Sequence, residues 1–431
     1  MFEKYFELAK NKTNVKTEVL AGLTTFMTMA YILAVNPAIL SAAGMDKNAL
    51  FTATAVSAIL ATLIMAFVAK LPFALAPGMG LNAFFAYTVV LTMGYSWEFA
   101  LTAVFLEGLI FILLTFFNIR EMIVDAIPKN LKYAISVGIG IFIAFIGLQN
   151  AGIIVKNDAV LIGLGDMSSH KVWVALFGIV FTGALLTRKV KGALLIGIIS
   201  STVLALFLGV AKFPESGLLS TPPSIAPIFF KLEFHNIFTW DMLIVLLTFL
   251  FMDLFDTVGT LVGVSAKAGM LTKEGKVPRV KQALLADAFG TTAGALLGTS
   301  TVTTFVESAS GVAEGGRTGL TALSTAVMFF LALFFAPVFI MIPGAATAST
   351  LFIVGLFMMS PIKNIDFEDY TESIPAFFTI IMMPLSYSIA EGIVFGIISY
   401  VLLKMISGKT KDVSIVMYIL TVLFVLKFFM K

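Results

Sequence analysis

Cysteine is absent from this 431-residue chain, and histidine occurs only at His170 and His235. Without a thiol there is no disulfide, no thiolate nucleophile and no Cys-ligated zinc or iron–sulfur centre. The two histidines fall far apart in expected loops, so neither a metal site nor a cofactor is expected. Charge is scarce too. Asp, Glu, Lys and Arg make up 12% of the residues, against about 25% in a soluble domain. No phosphate loop or dinucleotide fingerprint is present, which argues against direct drive by ATP. The net charge of +3 is no sign of nucleic-acid binding, because the basic residues sit in loops. A cleavable leader is not expected either, since the first apolar span begins near Thr17 and is too long for a signal h-region.

Apolar length is what the chain has in excess. Hydrophobic residues are 59% of the sequence and the mean hydropathy is +1.02. Runs of roughly 17 to 25 apolar residues recur, each long enough to cross about 30 Å of hydrocarbon as a helix. Spans are expected near 18–36, 51–69, 73–94, 98–117, 131–150, 172–187 and 192–210. After a loop at 212–239 that includes Thr221-Pro222-Pro223, further spans are expected near 241–265, 281–297, 299–314, 318–336, 346–360, 374–388 and 389–406. The fold class is therefore an all-α polytopic membrane protein with fourteen transmembrane segments, seven on each side of the dividing loop. A last apolar stretch, 413–430, either crosses or lies along the cytoplasmic interface. Ahead of the first span, Phe2, Tyr5, Phe6 and Ala9 share one helical face, which suits an interfacial helix; a frayed, solvated terminus is the alternative.

The third and tenth spans break in the same way. Leu75-Ala76-Pro77-Gly78-Met79-Gly80-Leu81-Asn82-Ala83-Phe84-Phe85 and Gly298-Thr299-Ser300-Thr301-Val302-Thr303-Thr304-Phe305-Val306-Glu307-Ser308 each join a short extended run to a half-length helix. Unwound backbone survives in a bilayer only where protein or a watery cavity satisfies its polar groups. Paired interruptions at corresponding places in two halves point to a transporter's binding site. A second echo, Ala193 to Ser200 against Gly392 to Ser399, joins the seventh and fourteenth spans.

Seven spans per half force the halves into opposite orientations. Lys10, Lys12 and Lys16 precede the first span, and Arg120, Lys129 and Lys132 follow the fourth. Arg188, Lys189 and Lys191 follow the sixth, Lys267, Lys273, Lys276, Arg279 and Lys281 the eighth, and Lys404, Lys409 and Lys411 the fourteenth. With a cytoplasmic amino terminus all of them face the cytoplasm, as the positive-inside rule requires of a multi-pass protein of the plasma membrane. Lys156 and Lys212 are scattered exceptions.

Ionisable groups inside spans are costly and usually functional. In the eighth span Asp253, Asp256, Thr257 and Thr260 fall on one helical face at spacings of three and four. Two carboxylates this close in a poorly hydrated site are not both expected to stay ionised. Thr304-Phe305-Val306-Glu307 matches a capping box, so Glu307 either closes the tenth span's half-helix, contacts a ligand, or does both. Asn82 holds the matching place in the third span, as an N-cap or as a two-way amide in a site. Ser308 adjoins Glu307, and Thr24, Thr25 and Thr28 of the first span face the same cavity or bond to their own helix. Phe84, Phe85 and Phe305 are candidates to stack on a planar ring. Glu107 and Asp287 are read as packing or gating partners instead of ligands, and Arg317 as cytoplasmic and structural. No Lys or Arg lies in the broken spans or the eighth span, so a small anion suits this inventory poorly. A flat heterocycle with N–H donors and ring acceptors suits it well.

At these residues the chain resembles the adenine/guanine/hypoxanthine permeases, a branch of the nucleobase–cation symporters with the uracil-permease fold. The resemblance covers nearly the whole chain and is carried by Ala76 to Phe85, Asp253 to Thr260, and Gly298 to Thr301 on through Glu314-Gly315-Gly316-Arg317. It implies two inverted seven-span repeats with short strands in spans 3 and 10. A core domain would comprise 18–118 and 240–336, and a gate domain 119–211 and 337–408. The remaining pieces would be a cytoplasmic or interfacial 1–17, an extracellular loop 212–239 and an apolar helix within 409–431. A homodimer through the gate domain is implied as well. The family's essential residues fall on Asn82, Asp253, Asp256 and Glu307. Uracil-permease relatives carry histidine after the span-eight acid, where Thr257 and Thr260 stand here. The expectation is proton-coupled uptake of purine nucleobases. Substrate would be bound by Asn82, Asp253, Asp256, Thr257, Thr304, Glu307, Ser308, Thr25 and Phe84, and the proton carried by Asp253, Asp256 or Glu307. A uracil, xanthine or Na⁺-coupled carrier is the alternative within transport. An intramembrane aspartyl hydrolase and a passive channel fit less well, because Asp253 and Asp256 share one helix and dead-end half-helices suit an occluded site.

Overall fold

The computed structural model describes residues 2–117, 128–157, 160–214, 217–235, 237–267, 269–270 and 277–429. Of the basic residues assigned above to cytoplasmic loops, Arg120, Lys273 and Lys276 lie outside them. The protein is predominantly helical. Eight helical stretches among the described residues are long and apolar enough to cross a membrane.

In chain order the elements that matter are α1 (Val15–Met29), α2 (Ile32–Ser41), α3 (Lys47–Ile64), β1 (Leu75–Pro77), α4 (Met79–Ala83), α5 (Trp97–Phe116) and α6 (Lys129–Asn150). After these come β2 (Ile154–Asn157), β3 (Leu161–Leu164), α7 (His170–Thr187), α8 (Ala193–Phe207), α9 (Trp240–Lys267), α10 (Val280–Leu297), β4 (Val302–Thr304) and α11 (Ser308–Ala313). The last are α12 (Gly319–Ala332), α13 (Ala336–Ile340), α14 (Gly344–Met358), α15 (Tyr370–Leu385), α16 (Ile389–Ile406) and α17 (Ile415–Phe429). Polar side chains start several of them. Asn14, Asp46 and Ser96 each accept a backbone N–H from the first turn of α1, α3 and α5, meeting donors the helix leaves unpaired. The expected continuous first span is in fact two helices. It turns at Ala30–Tyr31, and Pro37 inside α2 removes one further backbone donor.

The helices sort into two packing sets. In one, α12 packs on α1 and α3, α10 on α3 and α5, and α11 on α1. In the other, α14 packs on α6 and α7, α15 on α6 and α16, and α8 on α7. Each set draws on both halves of the chain, so contacts between early and late helices hold the molecule together. The sets meet where α1 touches α8, α2 touches α14 and α4 touches α6.

A buried carboxylate knits the first set. Glu18, in the first turn of α1, accepts the backbone N–H groups of Arg317, Thr318 and Thr321 and the hydroxyls of Thr318 and Thr321. It closes the start of α12, where the helix dipole favours negative charge.

The amino terminus forms a single helical turn, Phe2–Tyr5, not a longer interfacial helix. Phe6 and Leu8 are buried against Leu320, and the Tyr5 hydroxyl donates to the Phe67 carbonyl. These contacts dock the amino terminus on the helices.

Candidate functional site

Two chain breaks face each other in the first packing set. The β-branched run after Gly298 favours extended backbone, and Gly298 itself has φ +96°, a left-handed turn that ends α10. Pro77 and Gly78 end β1 before the half-helix that begins at Met79. β1 and β4 pair antiparallel with Leu75 opposite Thr304, Ala76 opposite Thr303 and Pro77 opposite Val302. The ladder is extended by Gly78 N–H to the Thr301 carbonyl and Phe305 N–H to the Ala74 carbonyl, both 2.9 Å.

One threonine from each half meets further backbone groups of the strands. Thr62 of α3 accepts the Leu75 N–H at 3.0 Å and donates to its carbonyl at 3.2 Å. Thr291 of α10 does the same for Val302, at 3.2 and 3.0 Å. The helix preceding each break thus supplies the hydroxyl that seals it, as buried backbone requires.

A cavity opens beside the strands. Its wall combines Tyr31 with Gly78, Met79 and Gly80 of the first break, Asp256 and Thr260 of α9, and Thr303 through Glu307 of the second break. Val354 and Met358 of α14 close it from the other packing set. No lysine or arginine among the described residues lines it. A second hollow between Asn48, Lys212, Ser220 and Pro337 is lined by no carboxylate among the described residues.

Of the residues singled out from sequence, Asp256, Thr260, Thr304, Phe305 and Glu307 line this cavity. The capping box does not form: Glu307 stands ahead of α11 without bonding it through its side chain. Its Oε1 instead accepts the Tyr31 hydroxyl at 2.6 Å. The Thr304 hydroxyl is buried and has no partner among the described residues.

Other candidates stand behind the wall. Asn82 lies inside α4, whose N-cap is Gly78, so it is not an N-cap. Its Oδ1 accepts the Ser300 hydroxyl, and its Nδ2 is buried with no partner among the described residues. Ser308 accepts the Ala74 N–H at 3.0 Å, bracing the first break. Phe84 packs edge-on against Phe249 with centroids 4.8 Å apart and is fully buried, away from any ring in the cavity. Thr25 is buried where α1 meets Gly311.

Asp253 and Thr257 belong to a second polar layer. The Thr257 Oγ lies 2.9 Å from Asp253 Oδ1, 2.7 Å from Asp287 Oδ1 and 2.6 Å from Thr303 Oγ. Asp287, read from sequence as a packing or gating partner, is therefore tied through Thr257 and Thr303 to the strand that forms the cavity wall. Glu107 likewise accepts the Thr301 hydroxyl at 2.6 Å. Sequence reasoning missed Tyr31 altogether, because one aromatic residue in an apolar run does not stand out.

The Permease family profile, Xan_ur_permease, matches residues 16–395. The chain belongs to this family. It is a multi-pass membrane transporter, not an enzyme, and the intramembrane hydrolase reading falls with that assignment. Adenine permease AdeP of Escherichia coli is 42% identical over 99% of this chain and 96% of its own length. Guanine/hypoxanthine permease PbuG of Bacillus subtilis is 44% identical over 98% of both chains. Among solved structures, the transmembrane domain of the cyanobacterial bicarbonate transporter BicA superposes with a TM-score of 0.67 at 16% identity, covering 88% of this chain and 97% of that one. SLC26A9 gives 0.65 at 10% identity, covering 94% of this chain and 68% of that one. These two likenesses establish the permease's fold and nothing about its cargo.

Proposed function

We propose that this permease imports purine nucleobases across the plasma membrane, driven by protons, with fourteen crossings arranged as two inverted repeats. The observation that carries the reading is the cavity wall. Asp256, Glu307, Tyr31 and Thr304 converge on it beside paired strands, at the junction of the two packing sets and without a cation among the described residues. Such a wall accepts hydrogen bonds from N–H edges and repels small anions, which fits relatives named for adenine and for guanine and hypoxanthine.

Hydrogen-bond counting supports proton coupling. One hydroxyl carries one hydrogen, so Thr257 cannot donate to both Asp253 and Asp287. The arrangement balances when one of those carboxyls supplies a hydrogen of its own. Asp253 and Asp287 then share a proton behind the wall, and Asp256 and Glu307 face the purine. Alternating access comes from movement of the first packing set, acting as core, against the second, acting as gate. One proton entering down 100 mV supplies about 2.3 kcal/mol, roughly fifty-fold accumulation.

The test is uptake of labelled hypoxanthine into proteoliposomes under an imposed pH gradient. Accumulation should collapse with a protonophore and be lost in Glu307→Ala, while that variant still inserts in the membrane. Accumulation that ignores the protonophore and follows a Na⁺ gradient would remove the coupling, and absence of any purine uptake would remove the cargo.

A further inference from the structure

We propose that Tyr31 sets the order of preference among purines by holding Glu307 as a two-pronged acceptor; this rests on the purine reading above. Three features carry it. First, the break in the opening span at Ala30–Tyr31 brings a buried phenol to the depth of β1 and β4, where it lines the same cavity as Glu307. Second, its hydroxyl donates to Glu307 Oε1 at 2.6 Å. Third, Glu307 makes no capping bond to α11; apart from its own backbone N–H, Tyr31 is the group among the described residues that fixes its carboxylate. Thr28 adds a longer contact, 3.5 Å, to the Glu307 carbonyl, so the same helical segment steadies backbone and side chain together.

A carboxylate oxygen has two lone pairs, and the phenol occupies one on Oε1. The second lone pair of Oε1 and those of Oε2 remain for the cavity. Held in one plane, the two oxygens match a ligand edge that offers two adjacent N–H donors, as bidentate pairing does elsewhere. Guanine has such an edge in its ring N1–H and C2 amino group. Hypoxanthine has only the ring N–H there. A single hydrogen bond survives rotation of the carboxylate, because the acceptor can follow it. A bidentate pair does not. Tyr31 is thus a positioning residue whose removal weakens the guanine edge selectively.

The experiment is equilibrium binding of guanine and of hypoxanthine to purified full-length protein in detergent, comparing the wild type with Tyr31→Phe. Phenylalanine keeps the ring in place and removes only the hydroxyl. The wild type should bind guanine more tightly than hypoxanthine. In Tyr31→Phe guanine affinity should drop about five- to tenfold, the usual worth of one hydrogen bond, and hypoxanthine affinity should change less than about twofold. An equal loss for both bases, or an unchanged guanine-to-hypoxanthine ratio, overturns the assignment while leaving the purine reading intact. Failure of the wild type to bind either base defeats that reading instead. A Glu307→Gln variant serves as the check on polarity: it replaces one acceptor oxygen by a donor and should abolish the guanine preference with Tyr31 still present.

Discussion

Single atoms decide more in this permease than their number suggests. The hydroxyl of Thr257 links α9, α10 and β4, touching two carboxyls and a second threonine. Thr257→Val keeps the shape and removes the shared hydrogen. We expect it to lower stability by about 1–3 kcal/mol, the cost of stranding buried polar groups, and to reduce gradient-driven uptake at least tenfold by order of magnitude. Thr257→Ser should restore both. Thermal unfolding in detergent and proteoliposome uptake check the pair, and normal uptake by the valine variant would show that the hydroxyl is only packing. Asp253, Asp256 and Glu307 stood out in the sequence because charge inside an apolar run is rare and expensive. Tyr31 and Glu18 did not. A tyrosine is unremarkable among 42 phenylalanines and 9 tyrosines, and the partners of Glu18 lie some 300 residues away along the chain.

Elements are positioned here by close approach. α11 lies against α1 at Gly311, where a Cβ would come 2.6 Å from the Ala21 carbonyl. Backbone cannot retreat as a side-chain tip can, so Gly311→Ala must push the half-helix outward. The expected cost is about 1–3 kcal/mol from overpacking, with α11 carrying Glu307 away from Tyr31. Uptake should fall while thermal unfolding shifts downward; an alanine variant that melts and transports like the wild type would mean the contact relaxes easily. The two breaks were legible from their Pro, Gly and Thr content. Their register was not, since Leu75 meets Thr304 across 229 positions, and only the pairing reveals that Thr62 and Thr291 play matching parts.

At the scale of the molecule, the proposed alternating access requires the packing sets to shift against each other. One contact between them joins Lys191, just ahead of α8, to Glu314 at the end of α11. Another seats Tyr387 against Tyr87, with ring centroids 6.1 Å apart, where the Tyr87 hydroxyl also accepts the Asn150 amide. Because the chain lacks cysteine, a pair introduced as Lys191→Cys with Glu314→Cys would be the sole target of a short thiol cross-linker. Linked protein should lose uptake, and reduction should restore it to the level of the unlinked double variant. Full transport by the linked form would show that this boundary does not move.

By itself the sequence determined the membrane-spanning helical character, the two matched interruptions, the scarcity of cations near them and the acids worth watching. These follow from local composition and periodicity, which act over a turn or a span. The tertiary structure alone decided which acids face the cavity, that Asp287 joins Asp253 through Thr257, and that Tyr31 instead of the helix start receives Glu307. Those outcomes depend on pairing the two halves of the chain, and hydrogen bonds between residues hundreds of positions apart leave no periodic mark in the order of amino acids.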